Sequence, residues 1–410
     1  MNIHASSPIP PSSRLILRGG RVLVPGLGLI ETDLAIADGR IERLAPAGRL
    51  PGRSLSADGL LILPGIVDLH GDGFEKLIMP RNGARFETRL ALAEADKHLL
   101  AAGITTAYFA VSCTWEPGLR SLEGAGEFVE TFAACRAGLG CDARLHLRFE
   151  LCAFEAVAAA EGWLDAGLVD LLAFNDHVPH IASRLDSPAA LAVYAERTGL
   201  DPEEFAARFE LMRERSAAGL GVAARLAAAA RRRGLPMASH DDETPEMRRA
   251  YRGLGSTICE FPVDASTAAS AREAGDPVVL GAPNALSGGS LYARLRAREA
   301  LCQDLCTALA SDYFYPSLMH APFRLASEGV MAFAAAWEAV SAGPAAALGL
   351  SDRGAVAPGR RADLVLVDAS DPDAPRVVAT LVAGRLAYAS WSEPSRQTCE
   401  EAMSVGETGS

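Results

Sequence analysis

The chain has 410 residues, 49% of them hydrophobic, and a formal net charge of -12. That length and apolar content suit a large α/β domain with a smaller one beside it, and they exclude a mini-protein that needs staples. The negative balance argues against nucleic-acid or anionic-membrane partners, while a small anionic substrate stays open if basic residues gather locally.

Residues 1–12, rich in Ser and Pro, read as a disordered tail with neither a basic n-region nor a long apolar stretch after it. No later segment offers the roughly 18 uninterrupted apolar residues of a membrane helix, so a cytoplasmic protein is expected. Residues 13–63 alternate short β-branched runs with Gly, Pro and Asp-Gly turns, the pattern of a small antiparallel sheet. Residues 351–390 repeat that rhythm, so a small β-sandwich domain built from both chain ends is expected around a central insertion.

Between 64 and 350, short apolar runs alternate with helical patterns. The runs are GIVDLH (65–70), ITTAYFAV (104–111), RLHLRFEL (144–151), LVDLLAFN (168–175), PMASH (236–240), STICEF (256–261), PVVLGA (277–282) and CTALASD (306–312). Their order points to a (β/α)8 TIM-like barrel with its active site at the C-terminal ends of the strands. An open doubly wound sheet is the alternative, and no Gly-x-Gly-x-x-Gly follows the first strand. A helical insertion at 180–234 lengthens the fourth connection, with an Asp201 cap and Pro202 at the first helical position. Residues 391–410 read as a second disordered tail. The eight cysteines contain no Cys-x-x-Cys pair, so buried free thiols are expected rather than a disulfide or zinc framework.

Polar residues end several of these runs: His70 and Asp72, Glu150, Asp176 and His177, His240 and Asp241, and Asp312. Asp68 and His70, two residues apart on a strand, would share one face. A single histidine at a strand end is usually structural, but imidazoles and carboxylates recurring at five ends suit an open site for Zn²⁺, Mn²⁺ or Fe²⁺. His146 has the same strand parity as Arg148 and Glu150, which points it into the barrel near the floor of such a site.

The first motif His70-Gly71-Asp72, the carboxylate Glu150, the separate His177 and His240, and Asp312 after the last strand resemble the amidohydrolase superfamily, over roughly residues 14–390. Its usual first motif is His-x-His, so Asp72 stands where a second imidazole is usual. The stretches LPGIVDLHGDGFEK, RLHLRFEL, ASHDDET, EFPVDASTAA, GAPNALSGGS and ASDYFYPSL resemble the branch that contains α-D-ribose 1-methylphosphonate 5-triphosphate diphosphatase of phosphonate metabolism. The resemblance implies a divalent metal centre, two Zn or Mn ions, held by His70, Asp72, Glu150, His177, His240 and Asp312, with Glu150 bridging. The family scheme puts its two lone histidines on strands five and six, whereas the eight runs counted here put them on four and five.

The implied reaction is hydrolysis of a phosphoanhydride to a 5-phosphate and pyrophosphate, with Asp312 accepting the proton of the attacking water. A triphosphate needs nearby cations, and Lys76, Arg81, Arg148 and Arg324 are candidates; Gly288, Gly289 and Ser290 offer backbone N–H groups. The expected partner is a small phosphorylated molecule, in a homo-oligomeric enzyme. The alternative is a deaminase or cyclic-amide hydrolase with the same metal site, and a third reading is a non-catalytic relative without metal.

Overall fold

A computed structural model describes residues 14–390 apart from 82, 186 and 290–294; both tails and Ser290 lie outside the described residues. Its centre is a parallel sheet of eight strands among the described residues: Ile66–Gly71, Ile104–Cys113, Asp142–Glu150, Leu171–Asn175, Met237–His240, Ile258–Glu260, Val278–Gly281 and Ala308–Ala310. Each corresponds to one of the apolar runs. They form strands because both faces are covered. One face packs under the helices, and the other, carrying Val67, Leu69, Tyr108, Leu171, Ala238, Ile258 and Val279, fills the interior.

The sheet closes on itself. A parallel bridge joins Gly71 to Asp312, with Asp72 N donating to Asp312 O and Asp312 N to His70 O, both at 2.9 Å. Asp68 braces the same seam: its carboxylate accepts from Ser311 N at 3.0 Å, Ser311 Oγ at 2.5 Å and His70 N at 3.3 Å. The pairing of the first strand with the second shifts register between Asp68 and Gly71, which separates two side chains that strict alternation would put on one face. Asp68 therefore serves barrel closure, and only His70 joins the donor cluster.

Beside the barrel, Leu364–Asp368 pairs antiparallel with Leu61–Pro64, joining the two ends of the chain in one six-stranded sheet. A four-stranded sheet shares its core, where Leu17, Leu34, Ile62, Leu364 and Leu381 meet. The expected purely antiparallel pattern is corrected at two places: Leu15–Arg18 runs parallel to Arg53–Ser56, and Arg21–Val24 parallel to Leu61–Pro64. The chain crosses between the two sheets, and the returning strand runs in the direction of the first. Arg353, buried, ties this region to the barrel through Asp142 and Thr106, and Arg361 reaches the same Asp142.

The fourth connection holds helices Val178–Ala182, Pro188–Thr198, Pro202–Ser216 and Gly219–Arg232. Asp201 caps the third, accepting from Glu204 N at 2.9 Å. Phe205, Phe209 and Met212 pack with Cys152, Val178 and Ile181 in a core of their own, so this insertion stands over the third and fourth strand ends. The seven described cysteines are free; Cys302 is exposed and Cys135 partly so, because their helices turn them outward, and the rest are buried. Among the described residues, no helix is long and apolar enough to cross a membrane.

Candidate functional site

Parallel register gathers the site. Glu150 lies opposite Asn175, Asn175 opposite His240, and His240 opposite Glu260, on strands three to six. Since side chains alternate, these four face the barrel interior while Phe149, Phe174 and Cys259 face the helices. His70 arrives from strand one: its ring centroid lies 5.1 Å from that of His146 and 5.2 Å from that of His240. Strands five and eight then turn sharply, with Asp241 at φ +59° and Asp312 at φ +54°. Asp tolerates this left-handed region better than most residues, and the turn sets both carboxylates at the barrel mouth.

Among the described residues, three groups place one donor atom from each member within 4.8 Å of the others: His70, His240 and Glu260; His177, His240 and Asp241; and His70, Asp72 and Asp312. The second and third share no residue. Nitrogen and carboxylate donors in this mixture suit Zn²⁺ or Mn²⁺. Burial, with Arg148 next in weight, holds His70 well below the usual imidazole range, and burial brings His240 down to about 4 against the pull of Asp241. Both imidazoles are thus neutral and present lone pairs, as metal ligation requires. Burial, then Asp72, pushes Asp312 up to about 7.

The sequence-derived residues separate into two sets. His70, Asp72, His177, His240 and Asp312 converge in these groups. The count of eight strands holds, so His177 does follow the fourth strand and His240 ends the fifth. Glu150, expected as a bridge, has both oxygens on His177, accepting from its backbone N at 2.8 Å and meeting Nδ1 at 2.6 Å. It orients that imidazole and, against burial, it raises the His177 pKa together with Asp241. Arg148 reaches Asp72 Oδ2 and His240 Nε2, each at 3.3 Å, and so stands inside the cluster.

The other basic candidates point elsewhere. Lys76 is exposed, with Nζ 5.2 Å from the centre of the Tyr313 ring. Arg81 is exposed beside Ala84, and Arg324 pairs with Glu328 at 3.5 Å on an outer helix. Gly288 ends the helix Ala282–Ser287 at φ +76°, its N–H donating to Asn284 O at 3.0 Å, and Gly289 N donates to Ser287 Oγ at 3.4 Å. Sequence proximity to a ligand does not fix direction once a helix or turn intervenes.

Two arginines that the sequence reading did not single out line a cavity together with Arg148. A cavity of about 250 Å³ opens over Glu150, His177 and Asp241, and its walls include Arg120, Arg148 and Arg184. Arg120 comes from the loop after strand two and holds Glu75 through two of its nitrogens, at 3.1 and 2.6 Å. Arg184 comes from the insertion after strand four. Glu260 was missed as well: it sits inside an apolar run, and its only signal was a carboxylate at the end of strand six.

A profile of the amidohydrolase family matches residues 305–388. The chain is 31% identical to α-D-ribose 1-methylphosphonate 5-triphosphate diphosphatase of Escherichia coli (strain K12) over 357 residues, which is 84% of this chain and 92% of that protein. Adenine deaminase of Methylobacterium sp. (strain 4-46) is 26% identical over 94% of this chain and 60% of its own length. Among solved structures, dihydropyrimidinase from Brevibacillus agri superposes with a TM-score of 0.60 at 14% identity, covering 91% of this chain and 94% of that one.

Proposed function

The chain belongs to the amidohydrolase family and is a hydrolase, and from that premise we propose that it is a metal-dependent diphosphatase. In this reading it cleaves α-D-ribose 1-methylphosphonate 5-triphosphate to the 5-phosphate and pyrophosphate, in phosphonate catabolism. The observation that carries the reading is the arginine-walled cavity over the donor groups: Arg120, Arg148 and Arg184 line one opening beside His177 and Asp241. Guanidinium forks match phosphate oxygens in pairs, and three of them suit a polyanionic tail better than a neutral amide.

When bound by these groups, divalent ions supply neutralisation of phosphoryl charge and acidification of a water. The chain's own residues do the rest. Asp72, Asp312, His70, His177, His240 and Asp241 are the proposed ligands, and Glu150 fixes the ring of His177. Asp312, at the barrel mouth beside Asp72, accepts the proton of the attacking water. The arginines hold the β- and γ-phosphates so that the leaving pyrophosphate departs along the cavity.

The test is to incubate metal-loaded protein with a panel of ribosyl 5-triphosphates and cyclic amides, and to assay pyrophosphate and ammonia. Pyrophosphate release is the expected result. Ammonia, with no pyrophosphate from any triphosphate, would overturn the proposal.

A further inference from the structure

Asn175 ends strand four, is 2% exposed, and lines the arginine-walled cavity. Its place in register between Glu150 and His240 turns the amide into the barrel. The backbone carbonyl accepts from Leu151 N at 2.9 Å, but the side-chain Oδ1 has no hydrogen-bond partner among the described residues. Arg148, on strand three beside Ala173, faces the same way and is 7% exposed. Its terminal nitrogens go to Asp72 and His240, and its Nε likewise has no partner among the described residues. Ser112, in register with Arg148 on strand two, lines the cavity with them.

A buried acceptor and a buried donor, both unmet on adjacent strands, are costly to keep unless a ligand satisfies them. The amide oxygen decides which part of a ligand comes here. Ionised phosphate and phosphonate oxygens accept hydrogen bonds and donate none, so they satisfy arginines and leave Oδ1 unmet. A hydroxyl does both: its O–H donates to a carbonyl while its oxygen accepts from an N–H. In a ribose that carries a methylphosphonate at C1 and a triphosphate at C5, the hydroxyls are the neighbouring pair at C2 and C3.

We propose that Asn175 is a specificity-determining residue, whose Oδ1 accepts from the C2–C3 diol of the sugar while Arg148 Nε donates to an oxygen of the same diol. The enzyme then selects 5-triphosphates of an intact ribose and rejects deoxyribosyl ones, because a missing hydroxyl leaves the buried amide unpaired. This role rests on the diphosphatase reading and adds to it the recognition of the sugar, which the arginines do not supply.

Pyrophosphate release is measured from α-D-ribose 1-methylphosphonate 5-triphosphate and from its 2-deoxy and 3-deoxy forms, with wild type, Asn175→Leu and Asn175→Ser, and the metal content of each protein is determined. In wild type, kcat/KM should fall at least about tenfold for one deoxy form or both. In each folded variant that ratio should shrink towards one, with metal content at the wild-type level. Equal kcat/KM for all three substrates in wild type overturns the proposal, whether or not the variants fold. So does a ratio that survives in a folded variant, and so does a loss of bound metal with the ratio unchanged, which makes Asn175 a metal ligand instead. Wild type that releases pyrophosphate from none of the three overturns the diphosphatase reading, and this role with it.

Discussion

Two buried polar regions lie back to back on strands five and six. On the outer side, Ser239 and Cys259 face Arg248, which is 1% exposed and engages Ser239 Oγ, Asp242, Asp276 and the carbonyls of Ser256 and Ile258. One residue further along each strand, His240 and Glu260 face inward, and there Glu260 keeps an oxygen without a partner. The first region balances its guanidinium with two carboxylates and so contributes to stability. Both regions leave some buried atoms without a hydrogen-bond partner, Asp242 Oδ1, Arg248 Nε and Ser256 Oγ on the outer side and Glu260 Oε1 and His240 Nδ1 on the inner side; what separates them is that the inner carboxyl faces imidazoles rather than a guanidinium.

This contrast can be broken by substitution on each side. Arg248→Met strands Asp242 in the interior, while Asp276 keeps Arg252 at 3.0 Å, so urea denaturation should show a loss of about 3–5 kcal/mol, with the affinity for metal unchanged in whatever fraction folds. An unaltered midpoint would show that the outer network is not structural. Asp312→Asn should do the reverse: pyrophosphate release should drop by about 10²–10⁴-fold while the melting profile of the metal-free protein stays close to wild type. Arg184→Ala sharpens the picture at the cavity wall. Losing a charge-assisted contact worth about 1.5–3 kcal/mol should raise KM for a triphosphate roughly 10- to 100-fold and leave metal content alone; a fall in kcat with KM unmoved would take Arg184 out of binding.

The smallest effect is expected at Asp142, a third, partly buried ion-pair region. Burial raises its pKa, but Arg144 and Arg353 outweigh that and hold the carboxyl below the usual range. A depressed folded-state pKa gives stability that is present above the ordinary carboxylate pKa and disappears as pH falls through the folded value. Asp142→Asn should therefore cost stability at neutral pH and remove part of the loss that wild type suffers on acidification. Parallel pH profiles of the two proteins would contradict this.

The barrel was legible because each of its strands is buried on both faces, so eight apolar runs stand out from the polar faces of the helices between them. His70, Asp72, His177, His240 and Asp312 were legible because each interrupts or follows such a run at its C-terminal end. Glu260 was not, since STICEF continues past it into Phe261 and reads as uniformly buried. Arg120 and Arg184 were hidden for another reason. They project from connections, where only the tertiary path of the loop after strand two and of the helices after strand four decides that both turn towards the same cavity. Lys76 and Arg324 differ in the opposite sense, being close to the candidate ligands in the chain while both are exposed.

The seam between Gly71 and Asp312 also bears on how the protein comes into being. His70 and Asp72 leave the ribosome early, yet the Asp312 that completes their group, and the Ser311 that holds Asp68, follow some 240 residues later. Until that last strand arrives, the first has an open edge on one side, and Leu61–Pro64 waits still longer for Leu364–Asp368. Loop-closure entropy over such separations makes these pairings late events. In the proposed centre, the group of His70, Asp72 and Asp312 can therefore hold an ion only in the finished chain, whereas His177, His240 and Asp241 come together earlier.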